Sequence, residues 1–165
     1  MMKPVYQMNG GSMQLFNPTY CDETKSWFLG VSEGIENALS VTEATSIPCW
    51  ASSSSTFMEM LEIPEHLMPP SDCQFIELSI WADKDRVNPN TGNSAGELAA
   101  LVLKSRMEPL LAERYPEATV RVEIHLPELE IPDGAKGVDW NDVLMLKGRE
   151  AFPARLEERF FDLIK

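Results

Sequence analysis

Only three cysteines, Cys21, Cys49 and Cys73, occur in the 165 residues, and no two of them stand at C-x-x-C spacing. An odd count without that spacing supports neither a disulfide framework nor a thiolate zinc site, so the thiols read as reduced and mostly buried. Basic side chains are also scarce: 14 Lys plus Arg face 26 Asp plus Glu, for a net charge of −12. That balance excludes a protein that coats bare DNA through a broad cationic face. No stretch approaches the roughly 20 consecutive apolar residues that span a bilayer, and residues 1–30 lack the cationic start and apolar run of a secretory signal. The expectation is a soluble cytoplasmic protein with no membrane partner. His66 and His125 are isolated, without the spaced partners of a metal or nucleophile site, and receive no role.

What is present is a chain with enough apolar residues, 44%, to bury a sizeable core. Residues 1–26 are a weakly organised lead-in, in which Ser12 to Phe16, between Asn9-Gly10-Gly11 and Asn17-Pro18, reads as a short strand or half of a hairpin. Trp27 to Ser32 is a compact apolar strand, followed by Glu33-Gly34 and a helix whose Ile35, Ala38, Leu39 and Thr42 share one face. Pro48 to Ala51 and Phe75 to Ala82 are further buried strands, with a short helix over Thr56 to Leu61 between them. A long helix from about Ser94 to Arg114, bent at Pro109, precedes a fourth strand over Thr119 to His125. Asp139 to Leu146 opens as a short helix with an acidic first turn, and residues 148–165 hold a closing amphipathic helix over Glu157 to Ile164. Strands alternating with helices predict an α/β domain over residues 27–147, a mostly parallel four-stranded sheet flanked by helices, because parallel neighbours need helical crossovers.

In such sheets ligands gather beyond the carboxyl ends of the strands. Glu33 directly follows the first strand, Asp83 and Asp85 follow the third, and Asp139 and Asp142 lie past the fourth, at intervals of 50 residues from Glu33 to Asp83 and 56 from Asp83 to Asp139. Residues two apart on an extended segment point the same way, so Asp83 and Asp85 aim at one point while Lys84 faces elsewhere. Such a pair suits Mg²⁺, which takes one or two carboxylates, keeps several waters and completes its shell with phosphate oxygens. In so acidic a chain a solvated strand-end carboxylate is the competing reading for any one of these sites; their coincidence at one sheet edge is what favours chemistry. For Asp139 and Asp142 the competing reading is a helix cap.

The strings Gly30-Val31-Ser32-Glu33-Gly34-Ile35-Glu36-Asn37-Ala38-Leu39-Ser40, Trp81-Ala82-Asp83-Lys84-Asp85 and Val138-Asp139-Trp140-Asn141-Asp142-Val143-Leu144, in that order, resemble the topoisomerase-primase (Toprim) domain, in the form found in phage, plasmid and mobile-element DNA primases. The resemblance runs from about Trp27 to Leu146 and implies a compact Rossmann-like fold. It also implies Mg²⁺- or Mn²⁺-dependent nucleotidyl transfer on single-stranded DNA with nucleoside triphosphates. By this resemblance Glu33, Asp83 and Asp85 are the catalytic carboxylates and, with Asp139 and Asp142, the metal-binding set. Asp83 and Asp85 are ligands, while Glu33 is either a further ligand or the general base. Lys84, Arg86, Lys136 and Asn141 are the candidates for nucleic-acid or phosphate contact, against ordinary surface charge for the cations.

Primases of this type also carry zinc-binding or helicase portions, whereas no zinc spacing is present here, so the expectation is a catalytic module that needs further domains in cis or in trans. Two other functions compete: a Toprim-type metal-dependent nuclease, and a non-catalytic remnant that binds DNA or a replication partner. The Ser52 to Ser55 run reads as a loop with a helix cap rather than a phosphate cradle, and Trp81 and Trp140 as packing beneath the crevice rather than base-stacking platforms.

Overall fold

The computed structural model describes residues 11–164; the first ten residues of the expected lead-in lie outside them. The chain folds as β1 (Thr19–Cys21), β2 (Ser26–Ser32), α1 (Ile35–Thr45), β3 (Cys49–Ala51), α2 (Ser55–Glu59), β4 (Phe75–Trp81), β5 (Lys84–Asp85), α3 (Ala95–Arg114), β6 (Thr119–His125), β7 (Gly137–Val138), α4 (Trp140–Lys147) and α5 (Leu156–Ile164). None of these helices is long and apolar enough to cross a membrane.

The main sheet has five strands rather than four. Strands β3, β2, β4 and β6 are mutually parallel, and the added strand, β1, runs antiparallel to β2. One edge of β2 serves two neighbours: its first half, Ser26 to Phe28, pairs with β1 and its second half, Gly30 to Ser32, with β3. The expected strand at Ser12 to Phe16 shrinks to a single antiparallel bridge between Met13 and Ala51. With Pro18 just before it, β1 forms instead over the β-branched and aromatic pair Thr19-Tyr20.

Alternation along β2 and β4 splits the core into two layers. Trp27, Leu29 and Val31 with Ile76, Leu78 and Ile80 face α2 and α3, meeting Met58, Ala99, Leu103, Met107 and Leu111. Phe28, Phe75 and Trp81 face the opposite layer of Ala38, Val41, Ala44, Trp140 and Val143, with Phe160 of α5 edge-on to Phe28 at 5.3 Å between ring centroids. Both strands are buried along their whole length, as a two-sided parallel sheet requires. On the α5 side this burial includes Glu77, 1% exposed, whose carboxylate lies 3.3 Å from Arg159 Nε of α5 and 3.6 Å from Arg121 of β6.

The face of α1 differs from the expectation. Ile35 and Leu39 are 43% and 47% exposed, and the buried face carries Asn37, Ala38, Ser40, Val41, Ala44 and Thr45. Small and polar side chains suit that face because α1 packs closely on α4 as well as on the sheet. The large apolar residues rotate outward, and Asn37 enters the interior.

Candidate functional site

Two backbone devices bring the acidic residues together. The short strand β5 leaves the end of β4 and pairs antiparallel with β7, Lys84 opposite Val138 and Asp85 opposite Gly137, which draws the Asp139 segment against the Asp83 segment. This approach is close: a Cβ on Gly137 would stand 2.7 Å from the Lys84 carbonyl oxygen and 2.8 Å from Asp85 Oδ1. Only glycine fits there. The second device is the start of α3, where the Gly96 N–H donates to Asp85 Oδ2 at 3.2 Å and satisfies one of the orphan donors of the first helical turn. A Cβ on Gly96 would meet the Asp83 carbonyl oxygen at 2.9 Å.

Asp83, Asp85, Asp139 and Asp142 therefore line one pocket of about 140 Å³ together with Gly137 and Val138. Glu33, from the end of β2, borders the group through a hydrogen bond with Asp83 and receives another from Ser55. Burial, then the nearby Glu33 and Asp139 carboxylates, push the Asp83 carboxyl up to about 8. Burial raises Glu33 as well, against the lowering effect of its hydrogen bonds. Both shifts run the same way because like charges this close in a low-dielectric site resist ionising together. Asp139 is also raised, by burial first, although the Asp142 N–H opposes the shift.

Asp139 and Asp142 also form a reciprocal cap on α4. Asp139 Oδ1 accepts from the Asp142 N–H at 2.8 Å, and Asp142 Oδ2 accepts from the Asp139 N–H at 3.1 Å. Capping and membership of the acidic pocket thus coexist in the same two residues.

The polar and cationic candidates are placed differently. Lys84 Nζ donates to the Leu129 carbonyl at 2.7 Å. The Arg86 guanidinium donates to the carbonyls of Ala135 and Pro132, each at 2.8 Å, and of Ile131 at 3.3 Å. Both cations hold the segment before β7 in place. Lys136 lines a larger open groove of about 710 Å³ together with Arg86, Val87, Asn88, Pro89 and Leu98, and this groove shares Asp85 with the acidic pocket. The Asn141 side chain accepts from the Ser40 hydroxyl at 3.1 Å. Trp81 and Trp140 are buried and meet edge-on at 4.8 Å, and the Trp140 indole N–H donates to the Ala82 carbonyl at 3.2 Å. They pack beneath the site, as expected.

Sequence reasoning did not single out Asn37, which donates from Nδ2 to Asp83 Oδ1 at 2.9 Å and accepts from the Asn141 N–H at 3.1 Å. Its only signal is a place on the α1 face shared by Ala38, Val41 and Ala44, which the misjudged helix face concealed. Ser55 was legible only as part of a serine run.

Among the described residues no three His, Cys, Asp or Glu side chains close into a ready-made ion cage. The donors instead form an open pocket of carboxylate oxygens in which burial and like charge push the Asp83 carboxyl upward. That chemistry fits a hydrated hard cation, which needs only one or two carboxylates from the protein.

Comparison with known proteins gives one family. The model of the Toprim domain matches residues 28–150. No curated protein and no solved structure matches the chain. Toprim domains act in metal-dependent processing of nucleic acids, with Mg²⁺ held through acidic residues, and the matched span runs from within β2 past the end of α4 and includes every member of the acidic group. On that span, the parallel α/β sheet and the acidic edge it carries, the chain belongs to the Toprim domain family.

Proposed function

We propose that the chain is the Toprim module of a DNA primase, acting on single-stranded DNA and nucleoside triphosphates with Mg²⁺ or Mn²⁺. The observation that carries this reading is the convergence of Glu33, Asp83, Asp85 and Asp139, from three separate stretches of chain, at the carboxyl edge of a parallel sheet. Asp83 and Asp85 would hold the cation, with Asp139 and Asp142 completing the acidic wall. A bound divalent ion would supply charge neutralisation on the phosphoryl oxygens and lower the pKa of the attacking hydroxyl.

The remaining work falls to the chain's own residues. Glu33, hydrogen-bonded to Asp83 and Ser55, would accept the proton of an incoming hydroxyl or add a ligand oxygen. The groove beside Asp85 presents Val87, Pro89 and Leu98 as an apolar floor for a base or sugar, with Lys136 and Asn88 at its polar margin. Lys84 and Arg86 serve chiefly by fixing the loop that carries Lys136 and Gly137. With a net charge of −12, the module draws most of its grip on DNA from zinc-binding or helicase portions in cis or in trans.

The test is to incubate the chain, alone and with such a partner, with Mg²⁺ or Mn²⁺, ribonucleotides and single-stranded DNA, and to resolve the products by size. Primer synthesis that depends on the partner and is abolished by Asp83→Asn supports the reading. Metal-dependent cleavage without synthesis would replace it with a nuclease, and binding without either product with a non-catalytic role.

A further inference from the structure

The Asn37 side chain is 5% exposed for its residue as a whole, and both ends of its amide are engaged. The partner at one end is the backbone N–H of Asn141, the second residue of α4, which can only donate. The Asn37 carbonyl oxygen must face it, and the amide nitrogen is thereby turned toward Asp83, where it donates to Oδ1. The orientation is set by chemistry on both sides. One neutral side chain ties the helix after β2 to the carboxylate after β4 and to the first turn of α4, and those last two stretches line the acidic pocket.

We propose that Asn37 is the positioning residue of the metal site: it fixes the orientation of the Asp83 carboxyl through a directed hydrogen bond to Oδ1, while keeping the Asp139 end of α4 close to it. The proposal rests on the reading of Asp83 as a metal-binding carboxylate. Partners that orient a ligating carboxylate normally affect metal affinity almost as strongly as some ligands do. Without this donor the Asp83 carboxyl would keep only its hydrogen bond with Glu33 to orient it.

The experiment measures Mn²⁺ affinity by titration calorimetry, and Mn²⁺-induced shifts in melting temperature, on the full chain at a temperature where circular dichroism shows every variant folded. Asn37→Ala removes the donor and should weaken Mn²⁺ binding about 10- to 100-fold, the range seen when an outer partner of a ligand is lost. Asn37→Asp keeps an oxygen for the Asn141 N–H and replaces the donor facing Asp83 by a second carboxylate. It should lower the melting temperature of the metal-free chain and enlarge the shift that Mn²⁺ produces. Opposite signs in the two variants are not what a purely structural residue gives. Ser40→Ala, which removes a contact to Asn141 without touching Asp83, should leave Mn²⁺ affinity within about 2-fold of the parent, well under the loss expected for an outer partner. Parent-like affinity in Asn37→Ala, or a parent-like shift in Asn37→Asp, overturns the positioning role if Asp83→Asn still abolishes binding. If the parent chain binds no Mn²⁺, or Asp83→Asn binds it as the parent does, the metal reading itself falls and the proposal with it.

Discussion

Asp85 and Gly96 are joined by a 3.2 Å hydrogen bond from the first turn of α3 to the Asp85 carboxylate, so a helix terminus holds one oxygen of a residue that also lines the acidic pocket. On the other side of the same carboxylate Gly137 leaves no room for a methyl group. Asp85 is clamped between two glycines. Gly137→Ala would force its Cβ to within 2.8 Å of Asp85 Oδ1 and 2.7 Å of the Lys84 carbonyl, both beyond accommodation without moving β5 from β7. A loss of about 1–3 kcal/mol, typical of overpacking, is expected in urea unfolding, with a reduced Mn²⁺-induced melting shift. Gly11→Ala, where a Cβ meets nothing within 4 Å, should change neither quantity. A parent-like Gly137→Ala would mean that the close approach is not needed to build the pocket.

Stability should depend on pH in a direction that metal suppresses. Asp83, Glu33 and Asp139 all keep protons to higher pH when folded, so above the ordinary carboxyl value of about 4 the folded state binds more protons than the unfolded one. Their contribution is full at low pH and is lost as pH rises through about 8, the Asp83 value. His125 acts oppositely: burial holds it down to about 4, so its contribution is full above about 6.5 and is lost as pH falls from there toward about 4. Urea midpoints of the metal-free chain should decline from about pH 6.5 to beyond pH 8, and saturating Mg²⁺ should flatten the decline by taking the proton's place. A slope that is the same with Mg²⁺ and without it would place the ion elsewhere.

Glu33→Gln retains the volume and hydrogen-bonding capacity of the side chain but removes its charge and its ability to take a proton. The fold should persist, because Glu33 lies at the junction of β2 and α1 and adds nothing to either apolar layer. Turnover of the assembled system should drop about 10²-fold or more if Glu33 is the general base. A ligand would show instead as a raised Mn²⁺ requirement with turnover partly restored at high concentration. Turnover unchanged at every metal concentration, with Asp83→Asn inactive, would leave Glu33 a bystander.

The ion cluster under α5 offers a test of packing away from the site. Arg159→Ala leaves Glu77 buried with only Arg121, at 3.6 Å, to compensate it. Such a half-broken buried pair should cost about 3 kcal/mol, whereas Glu77→Leu combined with Arg159→Leu should come close to the parent. Denaturant titration of the two variants decides it; equal losses in both would mean that the pair itself, rather than the stranded charge, supplies the stability.

The amino-acid sequence alone determined the alternation of β2, α1, β3, α2, β4, α3 and β6, because long apolar runs and turn residues are local signals read within one element. It also determined that Glu33, Asp83 and Asp85 stand at strand ends, which the parallel topology then makes a shared edge. Tertiary structure decided the rest. The buried face of α1 depends on how closely α4 lies against it, so Ile35 and Leu39 point outward although their spacing suggests a core stripe. Whether Lys84 and Arg86 face ligand or loop depends on carbonyls at Leu129, Ile131, Pro132 and Ala135, supplied by a segment more than 40 positions away. Asn37 owes its role to a backbone N–H 104 residues along the chain, and no periodicity within one helix reports a hydrogen bond made across that separation.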